Sequence, residues 1–224
     1  MSRKRELVFL FDVDNTLLDN DRVAKDLFRH LSREFGPRAK DRYRAIFERH
    51  RRQVGYADYL GALERYRQER IHDPRLLHMA SWLVDYPFAK RLYPGALAVV
   101  QRLRRWGQVV ILSDGDAVFQ PIKVARSGLW RAFHGHVLIF VHKEKCLDLV
   151  ERFHPAAHYV MVDDKLRILR AIKDQWQGRV TSVFPKQGHY AWDRKNLAAY
   201  PRADMNIRHI RDLLECKRSD FLAA

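Results

Sequence analysis

The hydrophobic positions of this chain follow two patterns, one before about residue 91 and one after it. Residues 7–11 form a short apolar run with aromatic and β-branched members, which predicts a buried strand. From residue 22 onward, apolar residues recur at helical spacing between glycine and proline breaks. This spacing predicts helices over about 22–35, 38–53, 57–70 and 74–85. We therefore expect a small helical bundle directly after the first strand.

Short apolar runs alternate with helical patterns after Pro94-Gly95. The predicted strands cover residues 109–113, 137–141, 159–162 and 180–184, and the predicted helices cover about 95–106, 117–127, 144–153 and 166–176. Strands separated by helices of ten or more residues form parallel sheets with both faces covered. Together with the first strand, the pattern predicts a five-stranded parallel sheet in an α/β fold.

Composition limits the class of protein. The chain has 224 residues, 47% of them hydrophobic, which is enough for a sizeable core. Its two cysteines, Cys146 and Cys216, form neither a disulfide framework nor a zinc-binding spacing. No apolar stretch approaches the roughly 20 residues needed to span a bilayer. We expect a soluble, cytoplasmic protein without a membrane partner.

The formal net charge of +15 is the unusual feature of the composition. Its densest basic stretch is residues 38–52, with seven basic and two acidic residues. Tyr43, Ile46 and Phe47 lie there at helical spacing, so the stretch predicts an amphipathic helix with a basic outer face. We interpret the charge first as a solvated surface, second as an attraction for a phosphorylated substrate, and last as a nucleic-acid site.

Polar residues follow four of the predicted strands. Ligands bind beyond the carboxyl ends of the strands in parallel α/β sheets, so these residues are the candidates for a site. The residues are Asp12, Asp14 and Thr16 after the first strand, Ser113, Asp114 and Gly115 after the second, Lys143 and Lys145 after the third, and Asp163 and Asp164 after the fourth.

These side chains suit a metal ion and a phosphate group. Carboxylates are the ligands preferred by Mg²⁺, and two carboxylates one residue apart repel each other unless a cation or a proton offsets them. A hydroxyl group, backbone amides beside a glycine and an ammonium group suit phosphate oxygens. Phosphoryl transfer depends mainly on positioning and charge neutralisation, which this set of groups can supply.

The ordered set Asp12-x-Asp14-x-Thr16, Ser113, Lys143 and Asp163-Asp164 resembles the four motifs of the haloacid dehalogenase-like superfamily. The stretch from Tyr93-Pro94-Gly95 to Gly128, including the spacing Lys123-x-x-x-Ser127-Gly128, is typical of members with a helical cap after the first motif. The resemblance implies a three-layer, Rossmann-like core of residues 1–16 and 92–224 and an all-helical cap of residues 17–91.

The resemblance also implies roles for individual residues. Asp12 would attack phosphorus and form an aspartyl-phosphate, and Asp14 would act as the general acid and base. Mg²⁺ would be bound by Asp12, the backbone carbonyl of Asp14, Asp163 and Asp164. Thr16 would fix the first loop, while Ser113, the amides of Asp114 and Gly115, and Lys143 would bind the phosphate. The implied function is a Mg²⁺-dependent phosphatase acting on a small phosphorylated metabolite.

Several alternatives remain open from the sequence. Lys145 competes with Lys143 for the role of site lysine, and Asp164 could cap a helix instead of binding metal. Arg51, Arg52, Tyr56 and Tyr59 are candidates for the cleft, whereas His189 and Tyr190 are expected at the surface. A haloacid dehalogenase, a phosphotransferase and a basic nucleic-acid-binding protein with a vestigial site are the rival functions. Substrate identity and oligomeric state are left undetermined.

Overall fold

A computed structural model describes residues 5–222 of the chain. The strands are β1 (Arg5–Phe11), β2 (Gln108–Asp114), β3 (Val137–Phe140), β4 (Ala156–Val162), β5 (Val180–Pro185) and β6 (Met205–Ile207). The helices are α1 (Asn20–Phe35), α2 (Pro37–Val54), α3 (Tyr59–Gln68), α4 (Arg75–Val84), α5 (Ala96–Leu103), α6 (Phe119–Arg126), α7 (Leu129–Ala132), α8 (Leu147–Phe153), α9 (Leu166–Trp176) and α10 (Arg194–Ala199). Short 3₁₀ turns cover Phe88–Arg91, Lys143–Lys145, Gln177–Arg179, His189–Trp192, Ile210–Leu214 and Arg218–Phe221.

The sheet is parallel throughout, with strand order β3-β2-β1-β4-β5-β6. The predicted α/β fold is confirmed, but the predicted number of five strands is wrong because β6 adds a sixth. β6 has only three residues and pairs with β5 from Val183–Met205 to Pro185–Ile207. A three-residue edge strand is too short to produce a period-2 pattern in the sequence.

The residues of β1 alternate between two apolar layers. Leu7, Phe9 and Phe11 pack into the cluster that includes α5, α6 and α7, whereas Val8 and Leu10 pack into the cluster that includes α8 and α9. Side chains in a strand point alternately to opposite faces, so a continuous apolar run can bury both faces of the central strand. The result is a helix–sheet–helix arrangement of three layers.

Helices α1–α4 form one helical segment, which lies between β1 and β2 in the sequence. The side chain of Asp19 caps α1 by accepting a hydrogen bond from the Arg22 amide at 2.9 Å. Gly36 and Gly55, both at φ +87°, flank α2. The apolar side of this segment continues the cluster on the α5–α7 face of the sheet. The predicted run of helices in this region is therefore present.

The chain enters and leaves the helical segment at neighbouring positions. Leu18 forms a single antiparallel bridge with Leu92, and the Tyr93 amide donates to the Leu17 carbonyl at 2.9 Å. Among the described residues, none of the helices is both long and apolar enough to traverse a bilayer.

The direction in which strands are added to the sheet reverses between β1 and β4. Parallel α/β sheets bind ligands outside the carboxyl ends of the strands at such a point. Asp12 follows β1, and Asp163 follows β4. The fold thus brings the two acidic motifs to the same edge of the sheet.

Candidate active site

Strand register places Asp12 beside Asp163. Phe11 pairs with Val162, and the Asp12 amide donates to the Val162 carbonyl at 3.0 Å. Neighbouring strands lie about 4.8 Å apart, so side chains at equivalent positions beyond their ends come into contact. Two acidic residues 151 positions apart in the chain therefore share one site.

Asp12, Asp163 and Asp164 form a buried cluster of carboxylates. Each offers an oxygen atom, and these three atoms lie within 4.8 Å of one another. Asp12 Oδ2 and both carboxylate oxygens of Asp164 have no hydrogen-bond partner within the described part of the chain. Burial raises the pKa of Asp163 to about 6, although Lys143 acts in the opposite direction, and burial raises the pKa of Asp164 well above its ordinary value.

This cluster fits a divalent metal ion such as Mg²⁺. All its ligand atoms are oxygens, as a hard cation requires, and some of them are buried without a partner. Asp164 does not cap α9, because Lys165 occupies the N-cap position and neither oxygen of Asp164 accepts a hydrogen bond. The geometry therefore favours the metal alternative for Asp164 over the capping alternative.

Lys143 is the buried cation beside these carboxylates. Its ammonium nitrogen lies 2.6 Å from Asp12 Oδ1, 2.7 Å from Asp163 Oδ2 and 3.1 Å from the Leu112 carbonyl oxygen. Burial opposes its charge, but Asp12, Asp163 and Asp114 together raise the pKa of the ammonium group. Lys145 is exposed, so the structure brings only Lys143 to the carboxylates.

Ser113 lies on the other side of Asp12 with its hydroxyl group buried. Its Oγ is 3.5 Å from Asp12 Oδ1 and accepts a hydrogen bond from the Gln120 side chain at 3.0 Å. A Cβ at Gly115 would come within 2.6 Å of Gln120, so the glycine makes room for this side chain. The Gly115 amide donates to the Phe140 carbonyl at 3.0 Å. This amide, which was predicted to bind phosphate, is therefore already hydrogen-bonded within the protein.

Thr16 and Asp114 connect the loops around the site. The buried Thr16 Oγ1 accepts a hydrogen bond from the Asp164 amide at 3.1 Å, which ties the first loop to the fourth. The Asp114 carboxylate accepts from the Lys143 amide at 2.8 Å, and Asp114 also lines the cleft. The contact of Thr16 agrees with a loop-fixing role, while the phosphate-binding roles of Ser113 and of the Asp114 amide stay predictions.

Asp14 has a different partner from Asp12. Both of its carboxylate oxygens lie 2.8 Å from the ammonium nitrogen of Lys123, a side chain that is completely buried in α6. The Asp14 carboxylate is outside the three-carboxylate cluster and is 18% exposed. Two carboxylates predicted to act together therefore have separate cations.

Hydrogen bonds extend from Lys123 to the helical segment. Lys123 Nζ donates to the Asn20 side chain at 3.2 Å, and the Asn20 amide group donates to the Tyr59 hydroxyl at 3.1 Å. Tyr59 is buried at the start of α3 and stacks on Phe47 with ring centroids 4.8 Å apart. The side chain of Asp14 is thus connected to α1 and α3.

A cleft of about 1130 Å³ lies between α1–α3 and the carboxyl edge of the sheet. Asp12, Asp14 and Asp114 reach it from the sheet, and the candidates Arg51, Arg52, Tyr56 and Tyr59 line it from the helical segment. His189 is exposed, as expected, and Tyr190 is half-buried, and both side chains also line the cleft. The His189 side chain lies 2.6 Å from the Asp21 carboxylate, and this contact places its loop over the opening.

Sequence reasoning gave no role to Lys123, Asn20 or Gln120. Lys123 was singled out only within the spacing Lys123-x-x-x-Ser127-Gly128. Its place four residues after Phe119 and beside Val124, on the buried side of α6, was a further readable signal. A lysine on the apolar face of a helix requires a buried partner, so it marks a polar site. The partner itself, Asp14, is 109 positions away and cannot be identified from local spacing.

A family model described as haloacid dehalogenase-like hydrolase matches residues 7–174. No significant match was found among curated proteins. Among solved structures, a Burkholderia xenovorans protein described as a haloacid dehalogenase-like hydrolase is 58% identical. That match covers 95% of this chain and 99% of the other, with a TM-score of 0.91.

Two more distant structures share the fold. The HAD-hydrolase YfnB of Bacillus subtilis, bound to magnesium, is 16% identical over 95% of this chain and 98% of its own, with a TM-score of 0.62. The L-2-haloacid dehalogenase of Xanthobacter autotrophicus, with chloropropionic acid covalently bound, is 17% identical over 93% and 96% of the two chains, with a TM-score of 0.60. At these identities the likeness extends to the fold alone.

Proposed function

The chain belongs to the family of haloacid dehalogenase-like hydrolases, and we propose that it is a Mg²⁺-dependent phosphatase acting on a small phosphorylated metabolite. The observation that carries this proposal is the second carboxylate, Asp14, which reaches the same cleft as Asp12 and is oriented by a buried lysine. Hydrolysis of a phosphate ester needs a proton donor for the departing alcohol, whereas release of a halide ion does not.

The proposed reaction has two steps. A carboxylate oxygen of Asp12 attacks phosphorus, the bond between phosphorus and the ester oxygen breaks, and Asp14 gives its proton to the departing alcohol. Water then attacks phosphorus and gives a proton to Asp14, the acyl phosphate bond breaks, and the Asp12 carboxylate is restored. Lys143 and the Ser113 hydroxyl neutralise and orient the phosphate oxygens next to Asp12.

Mg²⁺ would be bound by Asp12, Asp163 and Asp164 together with the backbone carbonyl of Asp14. When bound, the ion offsets the negative charge of the carboxylates and the phosphate and so allows them to approach each other. Mg²⁺ is supported by the unpartnered buried oxygens of the cluster.

We further propose that residues 17–91 form a cap on a core of residues 1–16 and 92–224. The bridge between Leu18 and Leu92 supports this division, because the helical segment begins and ends at neighbouring positions on the core. Such a cap excludes water from the site and recognises the part of the substrate beyond the phosphate. We also propose a cytoplasmic location, since both cysteines are free.

Dehalogenation is the second candidate function, because a structural neighbour is a haloacid dehalogenase. A phosphotransferase would use the same aspartates but pass the phosphoryl group to an alcohol. The presence of a second carboxylate, Asp14, in the same cleft as Asp12 favours phosphate ester hydrolysis over dehalogenation. We propose no nucleic-acid partner, because the candidate chemistry lies in a cleft and not on a flat basic surface.

Replacement of Asp12 by Asn tests the proposal. With Mg²⁺ present, we expect the wild-type protein to release phosphate from p-nitrophenyl phosphate and Asp12→Asn to lose activity by several orders of magnitude, because the nucleophile is gone. Circular dichroism would show that the fold is retained. Asp148→Asn, on an exposed position of α8, is the matched control and should keep full activity.

Two outcomes would contradict the proposal. One is metal-independent chloride release from chloropropionate by a wild-type protein that does not hydrolyse aryl phosphate. The other is near-normal phosphate release by Asp12→Asn.

A further inference from the structure

The cleft is much larger than a phosphate group. Its volume of about 1130 Å³ is in the range of pockets that enclose a whole small molecule. Asp12, Asp14 and Asp114 occupy only the part of the cleft at the sheet edge. The rest of the lining belongs mainly to α1, α2 and the loops beyond β4 and β5, so these elements would contact the leaving group of a substrate.

The α1–α2 side of the cleft carries a basic wall, which we define as Lys25, Lys40, Arg44, Arg51 and Arg52. In α2, Lys40, Arg44 and Arg51 follow one another at intervals of four and seven residues, which places them on one face of the helix. All five side chains line the cleft. The sequence interpretation of this region as a solvated basic face therefore does not describe the whole helix.

Most of this positive charge is not neutralised within the protein. Over residues 5–222, no carboxylate lies within 4.0 Å of the charged groups of Lys25, Arg44 or Arg52. Lys40 pairs with Asp41 at 3.1 Å, and Arg51 has a 3.8 Å contact with Glu48. By contrast, Arg42 on the other side of α2 donates to Glu69 at 2.8 Å. Like charges in a concave, half-enclosed site repel one another, and they concentrate anions there.

The basic wall begins next to the proposed phosphate position and extends away from it. Gly55, just beyond the end of α2, lies against the imidazole ring of His142, which precedes Lys143. The Arg51 guanidinium lies 5.4 Å from the centre of the Tyr190 ring, and the Lys165 ammonium lies 5.5 Å from the same ring. Arg44 is about 10 Å farther along the axis of α2 than Arg51.

We infer that the cleft selects phosphate monoesters whose leaving group carries a second anionic group, a carboxylate or a phosphate. Arg44 binds this group with help from Lys25 and Arg52, while Arg51 lies between it and the scissile phosphate. Guanidinium groups form paired hydrogen bonds to carboxylate and phosphate oxygens, so Arg44, Arg51 and Arg52 are suited to bind such a group. This inference rests on the proposed phosphatase function and adds the class of substrate.

Three synthetic esters with the same six-carbon chain test the inference. They are hydroxyhexyl phosphate, its counterpart ending in a carboxylate, and hexanediol bisphosphate corrected for its two equivalent phosphates. At constant ionic strength and with Mg²⁺, we expect kcat/KM of the wild-type protein to be at least tenfold higher for one of the two esters with a second anion. The preferred ester identifies the second group as carboxylate or phosphate.

Arg44→Gln and Arg52→Gln should each reduce this preference several-fold, mainly through KM. Both side chains are exposed, so their replacement does not affect the core. Arg49→Gln is the matched control, because Arg49 is exposed on the same helix but does not line the cleft. It removes the same charge and should keep the wild-type preference.

Equal kcat/KM for the three esters, or an undiminished preference in Arg44→Gln and Arg52→Gln, would overturn this inference and leave the phosphatase proposal intact. An equal loss of preference in Arg49→Gln would also overturn it, because general electrostatic attraction would then explain the effect. Failure of the wild-type protein to release phosphate from these esters and from p-nitrophenyl phosphate would overturn both proposals.

Discussion

Asp12 and Asp14 are two residues apart in the sequence but have different electrostatic partners. Lys143 Nζ lies 2.6 Å from Asp12, and Lys123 Nζ lies 2.8 Å from both oxygens of Asp14. The two lysines come from different elements, the turn after β3 and helix α6. In the proposed mechanism, separate cations would allow Asp12 to serve as nucleophile while Asp14 is oriented for proton transfer.

Replacement of Lys123 by Met tests this division of roles. Without Lys123, the Asp14 carboxylate has no fixed orientation, and the general acid is misplaced. We expect kcat for an alkyl phosphate to fall by about 10²-fold, within the range attributed to general acid–base catalysis. The loss should be smaller for p-nitrophenyl phosphate, whose leaving group departs without a proton.

Lys145→Met, two positions after the site lysine and exposed, serves as the control and should not change either rate. If Lys123→Met lowered the two rates by the same factor, Lys123 would have a general structural role instead of a role in positioning Asp14.

At the scale of elements, α2 connects the basic wall to the loop that carries Lys143. It lies between two glycines at the same φ of +87°, but their surroundings differ. A Cβ at Gly36 would meet no atom within 4 Å, whereas one at Gly55 would lie 2.6 Å from the His142 ring. The C-terminal end of α2 is therefore packed closely against the loop that carries Lys143.

Ala substitutions at the two glycines separate backbone strain from this contact. Both should destabilise the fold, because a positive φ disfavours a Cβ. We expect about 1 kcal/mol from the left-handed backbone of Gly55 and about 2 kcal/mol from Gly36, whose ψ of 166° is rarely adopted by other residues. Only Gly55→Ala should also lower kcat/KM, by about tenfold, since it displaces α2 or His142 and small misplacements near a reacting centre are costly. Thermal unfolding and phosphatase assays measure the two effects.

A second substitution, His142→Asn, should restore activity to Gly55→Ala by removing the ring, and Asn accepts the positive φ of position 142. Equal activity of Gly36→Ala and Gly55→Ala would contradict a role for this contact.

At the scale of the whole molecule, the carboxylate cluster connects metal binding to folding stability. Asp12, Asp163 and Asp164 are all buried, and burial raises the pKa values of Asp163 and Asp164. Lys143 contacts Asp12 and Asp163 but not Asp164, so the fold holds more buried negative charge than this one ammonium group offsets. A ligand that binds only the folded state stabilises it, so the metal should act on global unfolding.

We expect Mg²⁺ at about 100 times its dissociation constant to stabilise the fold by about 2.7 kcal/mol, which raises Tm by several degrees. Asp164→Asn should abolish this rise. The same substitution should raise Tm in the presence of a chelator, because it removes a buried carboxylate without hydrogen-bond partners. Differential scanning calorimetry measures both effects without reference to activity.

Asp148→Asn should preserve the response to Mg²⁺. A wild-type Tm that is insensitive to Mg²⁺ at millimolar concentrations would contradict the metal site. A full shift in Asp164→Asn would exclude Asp164 as a ligand.

The sequence by itself determined the order of the elements and the positions where chemistry could lie. Apolar runs and helical periodicity arise where neighbouring residues are buried together. They therefore predicted the bounds of β1–β5 and of the helices in the helical segment to within a few residues. The same runs ended in the polar residues of the four strand ends, and parallel topology required these ends to meet at one edge. The family resemblance followed from the same positions.

Only the tertiary structure decided which of these residues are partners. Lys143, and not the exposed Lys145, contacts Asp12, and Asp164 does not cap a helix. Asp14 pairs with Lys123, a residue 109 positions away. The tertiary structure also added β6 and directed one face of α2 into the cleft. Such contacts depend on strand order and on how each helix is placed against the sheet, and local periodicity in the sequence records neither.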